Sequence, residues 1–205
     1  TLPLAAKVAL SLAIVVPIGP MMYRLAYQPL AEATVLVLLI VSVAVHLTLV
    51  GLGLLFFGAE GSRTTPFSEA QFNVGTLTVN GQTLWVLGAS VVLIVALYLF
   101  FGRTLYGKAL RATAINRVGA RLMGISSASA GRLSFTMAAF IGALSGLLIG
   151  PTTTVFYDSG FLIGLKGFIA AIIAGLVSFP VAAVAALLGG LVGAFAAFFA
   201  SNFKE

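Results

Sequence analysis

Long apolar stretches alternate with short polar connections along this chain. A helix needs about 20 residues to cross the hydrocarbon core of a bilayer. Five stretches reach or approach that length, at residues 4–23, 34–57, 84–101, 133–150 and 181–200. A sixth, residues 161–179, carries Lys166 near its start and ends in Ser-Phe-Pro, which predicts a short or re-entrant helix paired with the next one. The pattern predicts an all-α bundle of five to six membrane segments, a single transmembrane domain over residues 1–205.

The composition agrees with a membrane protein. Of 205 residues, 60% are hydrophobic and 8% are charged, too few polar side chains to cover a soluble globule. The absence of cysteine excludes disulfides, thiolate ligands and cysteine nucleophiles. One histidine and five acidic residues leave little for hydrolytic or metal chemistry, so we expect no catalytic residue, metal or cofactor. We attribute the net charge of +6 to membrane topology and expect no nucleic acid partner.

The basic residues predict the orientation of the chain. Six of the eleven lie in one connecting segment, residues 103–132, with no acidic residue among them. They are Arg103, Lys108, Arg111, Arg117, Arg121 and Arg132. Because cytoplasmic loops carry the excess of lysine and arginine, this segment is predicted to be cytoplasmic. Alternation then places residues 23–29 in the cytoplasm, and the link at residues 58–83 and Asp158 outside.

The outer link, residues 58–83, is predicted to contain a small β-hairpin. Residues 74–79 are rich in β-branched side chains and alternate, and Asn80-Gly81 is a dipeptide typical of two-residue hairpin turns. Two interpretations are open: the link only joins two helices, or the hairpin docks a partner outside the membrane. The candidate docking residues are Thr76, Thr78, Asn80 and Gly81.

Glycines recur at intervals of four in two of the predicted helices. Gly142, Gly146 and Gly150 form one series, and Gly189 and Gly193 form another. This spacing is typical of membrane helices whose backbones approach each other closely. It predicts a compact bundle and carries no information about what the bundle transports.

The cytoplasmic segment is predicted to contain two short helices. On one straight helix, Arg111 and Arg121 would fall into the apolar face made by Leu110, Val118 and Leu122, so we expect a bend within residues 116–119. A bent helix below the membrane suits a groove on a soluble partner. The alternative is a basic strip lying on the anionic headgroups of membrane lipid.

Three patterns suggest other chemistry. Residues 102–109 have the outline of a phosphate-binding P-loop, but Ala109 stands where a hydroxyl must hold magnesium. His46, near the middle of the second predicted helix, makes a proton-coupled secondary transporter the alternative function, although a neutral histidine hydrogen-bonded to another helix is favoured. Ser145 could serve an intramembrane protease only with His46 as its base, and we interpret it as a packing residue.

The cytoplasmic segment resembles a known family. Residues 107–114, with Ala120 and residues 122–125, resemble the coupling region of permeases from bacterial ABC importers for branched-chain amino acids, the LivH-like class. Residues 24–30 and 159–168 are similar to two further segments of these permeases. The family's first helices and its last one are missing, and the chain begins at Thr1 instead of Met, so we expect a piece of a longer protein. There are departures from the family: Ala174 and Val177 stand at usual glycine positions, and Gly119 replaces an alanine.

The resemblance implies a function. It implies a multi-pass permease of the bacterial inner membrane that carries branched-chain or other hydrophobic amino acids by alternating access, while ATP is hydrolysed on other subunits. The implied partners are a second related permease subunit, two cytoplasmic ATPase subunits and a periplasmic amino-acid-binding protein that meets the outer hairpin. The implied ATPase-coupling residues are Gly107, Lys108, Arg111, Ala112, Gly124 and Ile125. Apolar helix faces leave no polar signature of a substrate route, so no substrate-binding residue is predicted.

Overall fold

The structure is a computed structural model that describes residues 3–68, 70–74, 77–175 and 178–199. The described residues form helices and one two-stranded sheet. In chain order the elements are α1 (Leu4–Val15), α2 (Ile18–Met22), a π-helical turn (Tyr23–Tyr27), α3 (Val35–Phe57), β1 (Gln71–Val74), β2 (Leu77–Asn80), α4 (Gly81–Arg103), α5 (Leu105–Ile115), α6 (Arg117–Leu122), α7 (Ser127–Ile149), α8 (Ser159–Ile173) and α9 (Phe179–Phe199).

Five helical stretches in the described part of the chain are long and apolar enough to cross a membrane. They are Leu4–Tyr27, Val35–Phe57, Gly81–Arg103, Ser127–Ile149 and Pro180–Phe199. The sixth apolar helix, α8, has 15 residues, which at 1.5 Å per residue gives it a length of about 22 Å against a hydrocarbon core of about 30 Å. α8 packs along α9, and Gly175, with a φ of 67°, lies in the turn between them. The five predicted spans and the short sixth helix paired with its successor are confirmed.

The first span changes its helical geometry near its inner end. Pro17 and Pro20 lack an N–H, so the regular α-helical hydrogen bonding of α1 does not continue through α2. The π-helical turn follows, with the amide of Gln28 donating to the carbonyl of Tyr23 at 2.8 Å. This geometry places the rings of Tyr23 and Tyr27 against one ring on α7, that of Phe135, with centroids 5.5 and 4.7 Å away.

The closest backbone approaches occur at glycines outside the two predicted series. A Cβ at Gly19 would overlap the backbone carbonyl of Phe135, and a Cβ at Gly131 would overlap the ring of Tyr23. By contrast, Cβ atoms at Gly142, Gly146, Gly189 and Gly193 would meet nothing within 4 Å in the described part of the chain. Gly150, the third member of the first series, is buried, and a Cβ there would lie 2.9 Å from the hydroxyl oxygen of Thr64. The other four glycines face open space within the described structure, so the role of the two series in helix packing stays a prediction.

The outer link contains the predicted hairpin, with its turn at another place. Val74 pairs with Leu77 and Gln71 with Asn80, so residues 75–76 join the two strands. These two residues lie outside the described part of the chain, and the predicted docking residue Thr76 is one of them. The predicted turn at Asn80-Gly81 is wrong. Asn80 instead directly precedes α4, and the amide of Gly81 donates to the carbonyl of Ala70 at 2.7 Å. Asparagine is favoured both in turns and before helices, and here the apolar run that follows makes it the residue at a helix start.

Candidate coupling and transport sites

The predicted break in the cytoplasmic segment is confirmed. α5 ends at Ile115, Asn116 is extended with φ −148° and ψ 103°, and α6 begins at Arg117. Each helix starts with a side-chain cap: the Thr104 hydroxyl accepts from the amide of Gly107 at 3.0 Å, and the Asn116 carbonyl oxygen accepts from the amide of Gly119 at 2.9 Å. Both caps satisfy amides that have no partner within their own helix.

Gly107 sets the angle between α4 and α5. It is buried, and a Cβ there would overlap the Phe100 carbonyl and lie against the backbone of Phe101. Only a residue without a side chain lets the start of α5 pack this closely against the backbone at the end of α4. Gly107 is therefore a buried structural residue of residues 103–132, which we call the coupling segment, and it does not contribute to the surface of that segment.

Gly124 ends α6 in a left-handed conformation, with a φ of 79°. Its amide donates to the carbonyl of Arg121 at 3.0 Å, and the amide of Ile125 donates to the carbonyl of Ala120 at 2.9 Å. This pair of hydrogen bonds is a Schellman motif, which needs a positive φ at the position that Gly124 occupies. The glycine thus turns the chain from α6 toward α7.

The remaining predicted coupling residues lie at or near the surface. Lys108 and Arg111 are exposed, whereas Ala112 and Ile125 are half-buried. The guanidinium carbon of Arg111 lies 5.9 Å from the centroid of the Phe101 ring, within the range of a cation–π contact. Of the six predicted coupling residues, Lys108 and Arg111 therefore present positive charge at the surface, whereas Gly107 and Gly124 shape the backbone.

An apolar patch on this segment contains Val118 and Leu122 of the predicted apolar face, together with two residues that were not singled out from the sequence. It consists of Ile115, Val118, Leu122 and Met123, which we call the α6 patch. Ile115, Leu122 and Met123 are 87%, 83% and 82% exposed. Val118 and Leu122 are four positions apart and share one face of α6. Exposed apolar clusters among polar residues are typical of interaction sites. The sequence signal for this patch is the spacing of four between Val118 and Leu122 within a basic segment.

Hydrogen bonds join the coupling segment to the chain between the first span and α3. The Nη1 atom of Arg117 donates to the carbonyl of Ala31 at 3.2 Å. Arg121 approaches Glu32 at 3.8 Å and donates through Nε to the hydroxyl of Ser127 at 3.1 Å. These contacts place residues 28–34 and the coupling segment at the same end of the bundle, which agrees with the predicted alternation.

The opposite end of the bundle is built around the outer link. Ser62 and Val155 exchange two backbone hydrogen bonds of 2.9 Å, and Nε of Arg63 donates to the carbonyl of Pro151 at 3.1 Å. Gln82, only 4% exposed, accepts from the amide of Phe67 at 2.9 Å and donates to the carbonyl of Leu148 at 3.0 Å. No local pattern singled out Gln82, because its partners lie 15 and 66 positions away along the chain.

A cavity of about 530 Å³ lies between α3 and α8. His46 lines it, and the imidazole ring packs on the ring of Phe161 with centroids 4.9 Å apart. Among the described residues His46 makes no hydrogen bond, so the predicted bond to another helix is replaced by an aromatic contact with α8. Asp158 lines the same cavity.

Comparison with known proteins decides the family. Branched-chain amino acid transport system permease components match residues 1–204 of the chain. The chain belongs to this family. The permease is 28% identical over 185 residues to the high-affinity branched-chain amino acid transport system permease protein BraD of Pseudomonas aeruginosa, covering 87% of the chain and 60% of that protein.

Two further relatives carry the name LivH. The permease is 27% identical over 165 residues to the high-affinity branched-chain amino acid transport system permease proteins LivH of Escherichia coli K12 and Salmonella typhimurium, covering 77% of the chain and 53% of each relative. It thus spans between half and two thirds of the length of the curated relatives it matches. No solved structure matches it.

The geometry also bears on the other predicted chemistries. The matching family is described as a transport permease component, and the matched relatives are named as branched-chain amino acid permeases. Ser145 lines an apolar cavity of about 310 Å³ together with Leu4 and Trp85, and His46 is not among the lining residues, so the structure does not bring the two together. The described residues contain no cluster of acidic and histidine side chains that could hold a metal.

Proposed function

We propose that this permease is the membrane-spanning subunit of an ATP-driven importer of the bacterial inner membrane. It carries branched-chain or other hydrophobic amino acids by alternating access, together with a second related permease, two cytoplasmic ATPases and a periplasmic binding protein. The observation that carries the proposal is the family match over residues 1–204. The curated relatives BraD and LivH are named as high-affinity branched-chain amino acid transport permeases, which supports the substrate class.

The coupling segment is the proposed contact with the ATPase. A short helix with one apolar face fits a hydrophobic groove on a soluble protein, and α6 presents such a face through the α6 patch. Lys108 and Arg111 lie exposed on α5, the helix before it, and supply positive charge to the proposed contact. Ala112 on α5 and Ile125 after α6 are half-buried.

Two connections transmit the ATPase movement in this proposal. Gly107 holds α5 closely against the end of α4, and Arg117 binds the chain next to α3 through the carbonyl of Ala31. A displacement of α6 therefore pulls on two membrane helices at once. Gly124, with its positive φ, sets the direction of the chain between α6 and α7. ATP itself binds only to the partner subunits.

The hairpin of the outer link is the proposed docking surface for the binding protein. Phe72 on β1 is half exposed and Asn80 at the end of β2 is exposed, whereas Gly81 is buried and acts by shaping the start of α4. Thr78 is paired with Asn73 in the sheet. An exposed aromatic residue beside polar groups is a common anchor at protein interfaces.

Exchanging one exposed apolar residue at each end of the bundle tests both contacts. We would purify the complete transporter in mild detergent and compare wild type, Leu122→Asp in the α6 patch and Phe72→Asp in the hairpin. Leu122→Asp is expected to lose the ATPase and to keep the binding protein, and Phe72→Asp is expected to do the reverse. Arg111→Glu is expected to weaken ATPase recovery as well.

Each variant serves as the control for the other, because both place the same charge on an exposed site. Equal recovery of the ATPase with Leu122→Asp, Arg111→Glu and wild type would contradict the coupling assignment. Failure of wild type to recover any ATPase under conditions that preserve the bundle would contradict the importer itself.

A further inference from the structure

The cavity between α3 and α8 has the volume of a small-molecule site and is open to its surroundings, with Phe161 and Phe168 on its wall 54% and 57% exposed. Its volume of about 530 Å³ falls within the ~300–1,000 Å³ range of ligand pockets. Apolar side chains form most of the wall, and His46 and Asp158 are its only ionisable side chains among the described residues apart from the phenol of Tyr157. The lining residues are His46, Leu49, Val50, Tyr157, Asp158, Gly160, Phe161, Gly164, Leu165 and Phe168.

The two ionisable groups have no polar partner in the described part of the chain. Among the described residues, Asp158 is exposed at the start of α8 and forms no salt bridge, and His46 makes no hydrogen bond while its ring packs on the ring of Phe161. An ionisable side chain within a membrane span, as at His46, is costly, and such residues commonly mark substrate or ion pathways. A free carboxylate accepts from an ammonium group, and a neutral imidazole donates one N–H to a carboxylate.

We propose that this cavity holds the transported amino acid during its passage through the permease. Asp158 accepts hydrogen bonds from the α-ammonium group, His46 donates to the α-carboxylate, and the branched side chain packs among Leu49, Leu165 and Phe168. This assignment rests on the proposed function and adds the place where that substrate is recognised. It explains why an apolar cavity carries an acceptor and a donor that the protein itself leaves free.

Two glycines keep the cavity open on the side of α8. Gly160 and Gly164 are four positions apart on its lining face, and a Cβ at either would meet nothing within 4 Å. A larger side chain at Gly164 can therefore fill the cavity without displacing a neighbour. Gly51 on α3 offers a matched control, because a Cβ there also meets nothing within 4 Å and Gly51 does not line the cavity.

The first experiment blocks the cavity. The complete transporter would be reconstituted in liposomes with its ATPase and binding protein, and ATP-driven leucine uptake would be measured for wild type, Gly164→Leu and Gly51→Leu. Both substitutions replace glycine by a better helix former, so neither weakens its helix. Gly164→Leu is expected to lower uptake about tenfold or more, the factor that corresponds to losing ~1.4 kcal/mol of binding. Gly51→Leu is expected to match wild type.

A second experiment tests the charge. Asp158→Asn is expected to raise the KM for leucine uptake about tenfold or more, as for the loss of one charge-assisted hydrogen bond. Asp158→Glu is expected to restore much of the affinity, since it returns the carboxylate. The amount of ATPase that co-purifies with each variant shows whether the assembly is intact.

The outcomes separate the two proposals. A wild-type transporter that assembles with its ATPase yet takes up no branched-chain amino acid would overturn the proposed function. Wild-type uptake that persists unchanged in both Gly164→Leu and Asp158→Asn would overturn the cavity assignment alone.

Discussion

The guanidinium of Arg117 reaches the backbone carbonyl of Ala31, 86 positions earlier in the sequence, at a distance of 3.2 Å. The contact joins α6 to the connection between the first span and α3. The predicted topology places both of these parts of the chain on the cytoplasmic side. Arg121 adds its approach to Glu32 one residue further along that connection. The coupling end of the permease is thus held by side chains of α6 as well as by the helices themselves.

Cross-linking should detect this contact directly. The chain has no cysteine, so paired cysteines can be introduced without background within it. Ala31→Cys with Arg117→Cys should be bridged by a short bismaleimide in membranes, and mass spectrometry would identify the linked peptides. Ser62→Cys with Arg117→Cys lies across the bundle and should give no link. A link in the second pair and none in the first would refute the placement of α6.

Thiol labelling should report the orientation of the chain. Ile115 is 87% exposed on the coupling segment, and Ser62 is exposed in the outer link. We expect a membrane-impermeant thiol reagent to label Ser62→Cys in intact cells and Ile115→Cys only after permeabilisation. Thr113 is a poor site for this test because it is buried. Labelling of Ile115→Cys from outside would reverse the topology.

A side chain at Gly124 should strain the end of α6. Its positive φ of 79° costs about 1–2 kcal/mol for any L-residue with a Cβ. Gly124→Ala is therefore expected to lower the Tm in detergent by a few degrees. Gly119→Ala is the control in the same helix, because its nearest neighbour would be the Asn116 side chain at 3.4 Å. Equal Tm values for the two variants would argue against the Schellman geometry.

A side chain at Gly107 should force α5 away from α4. The added Cβ would overlap a backbone carbonyl, and overpacking of this kind typically costs about 1–3 kcal/mol. Gly102→Ala, in open space near the end of α4, should be neutral or slightly stabilising. Thermal unfolding of both variants measures the difference, and ATPase recovery shows whether the angle of α5 matters for assembly. A Gly107→Ala protein as stable as Gly102→Ala would contradict the close approach.

Removal of the Gln82 side chain should loosen the outer end. Gln82→Met keeps a similar volume but leaves the amide of Phe67 and the carbonyl of Leu148 without their partner. Unsatisfied buried groups cost about 1–3 kcal/mol each, so we expect a clear drop in Tm. Gln71→Met, on the exposed first residue of β1, is the control and should change little. Comparable stability of the two variants would show that the Gln82 hydrogen bonds do not form.

Hydropathy predicted the membrane helices well because span length and apolar content are local properties. The bend at Asn116 was likewise predictable, since Arg111 and Arg121 cannot share one face with Leu110 without burying charge. The turn at Asn80-Gly81 was misplaced because the same two residues suit a hairpin and a helix start. The glycine series indicated one face of each helix but not its neighbour, because spacing alone does not identify what packs there. Gln82 and the cavity at His46 depend on contacts between distant segments, which no local pattern encodes.

The hydrogen bonds of Gln82 have a mechanical consequence. One amide group fastens the first turn of α4 to the last turn of α7 and to the outer link, and it lies where water does not reach. Separating these three segments would break both hydrogen bonds, so we expect them to move as a single corner. Relative motion of α4 and α7 is then expected to be angular about that corner and largest at their opposite ends, near the proposed ATPase contact.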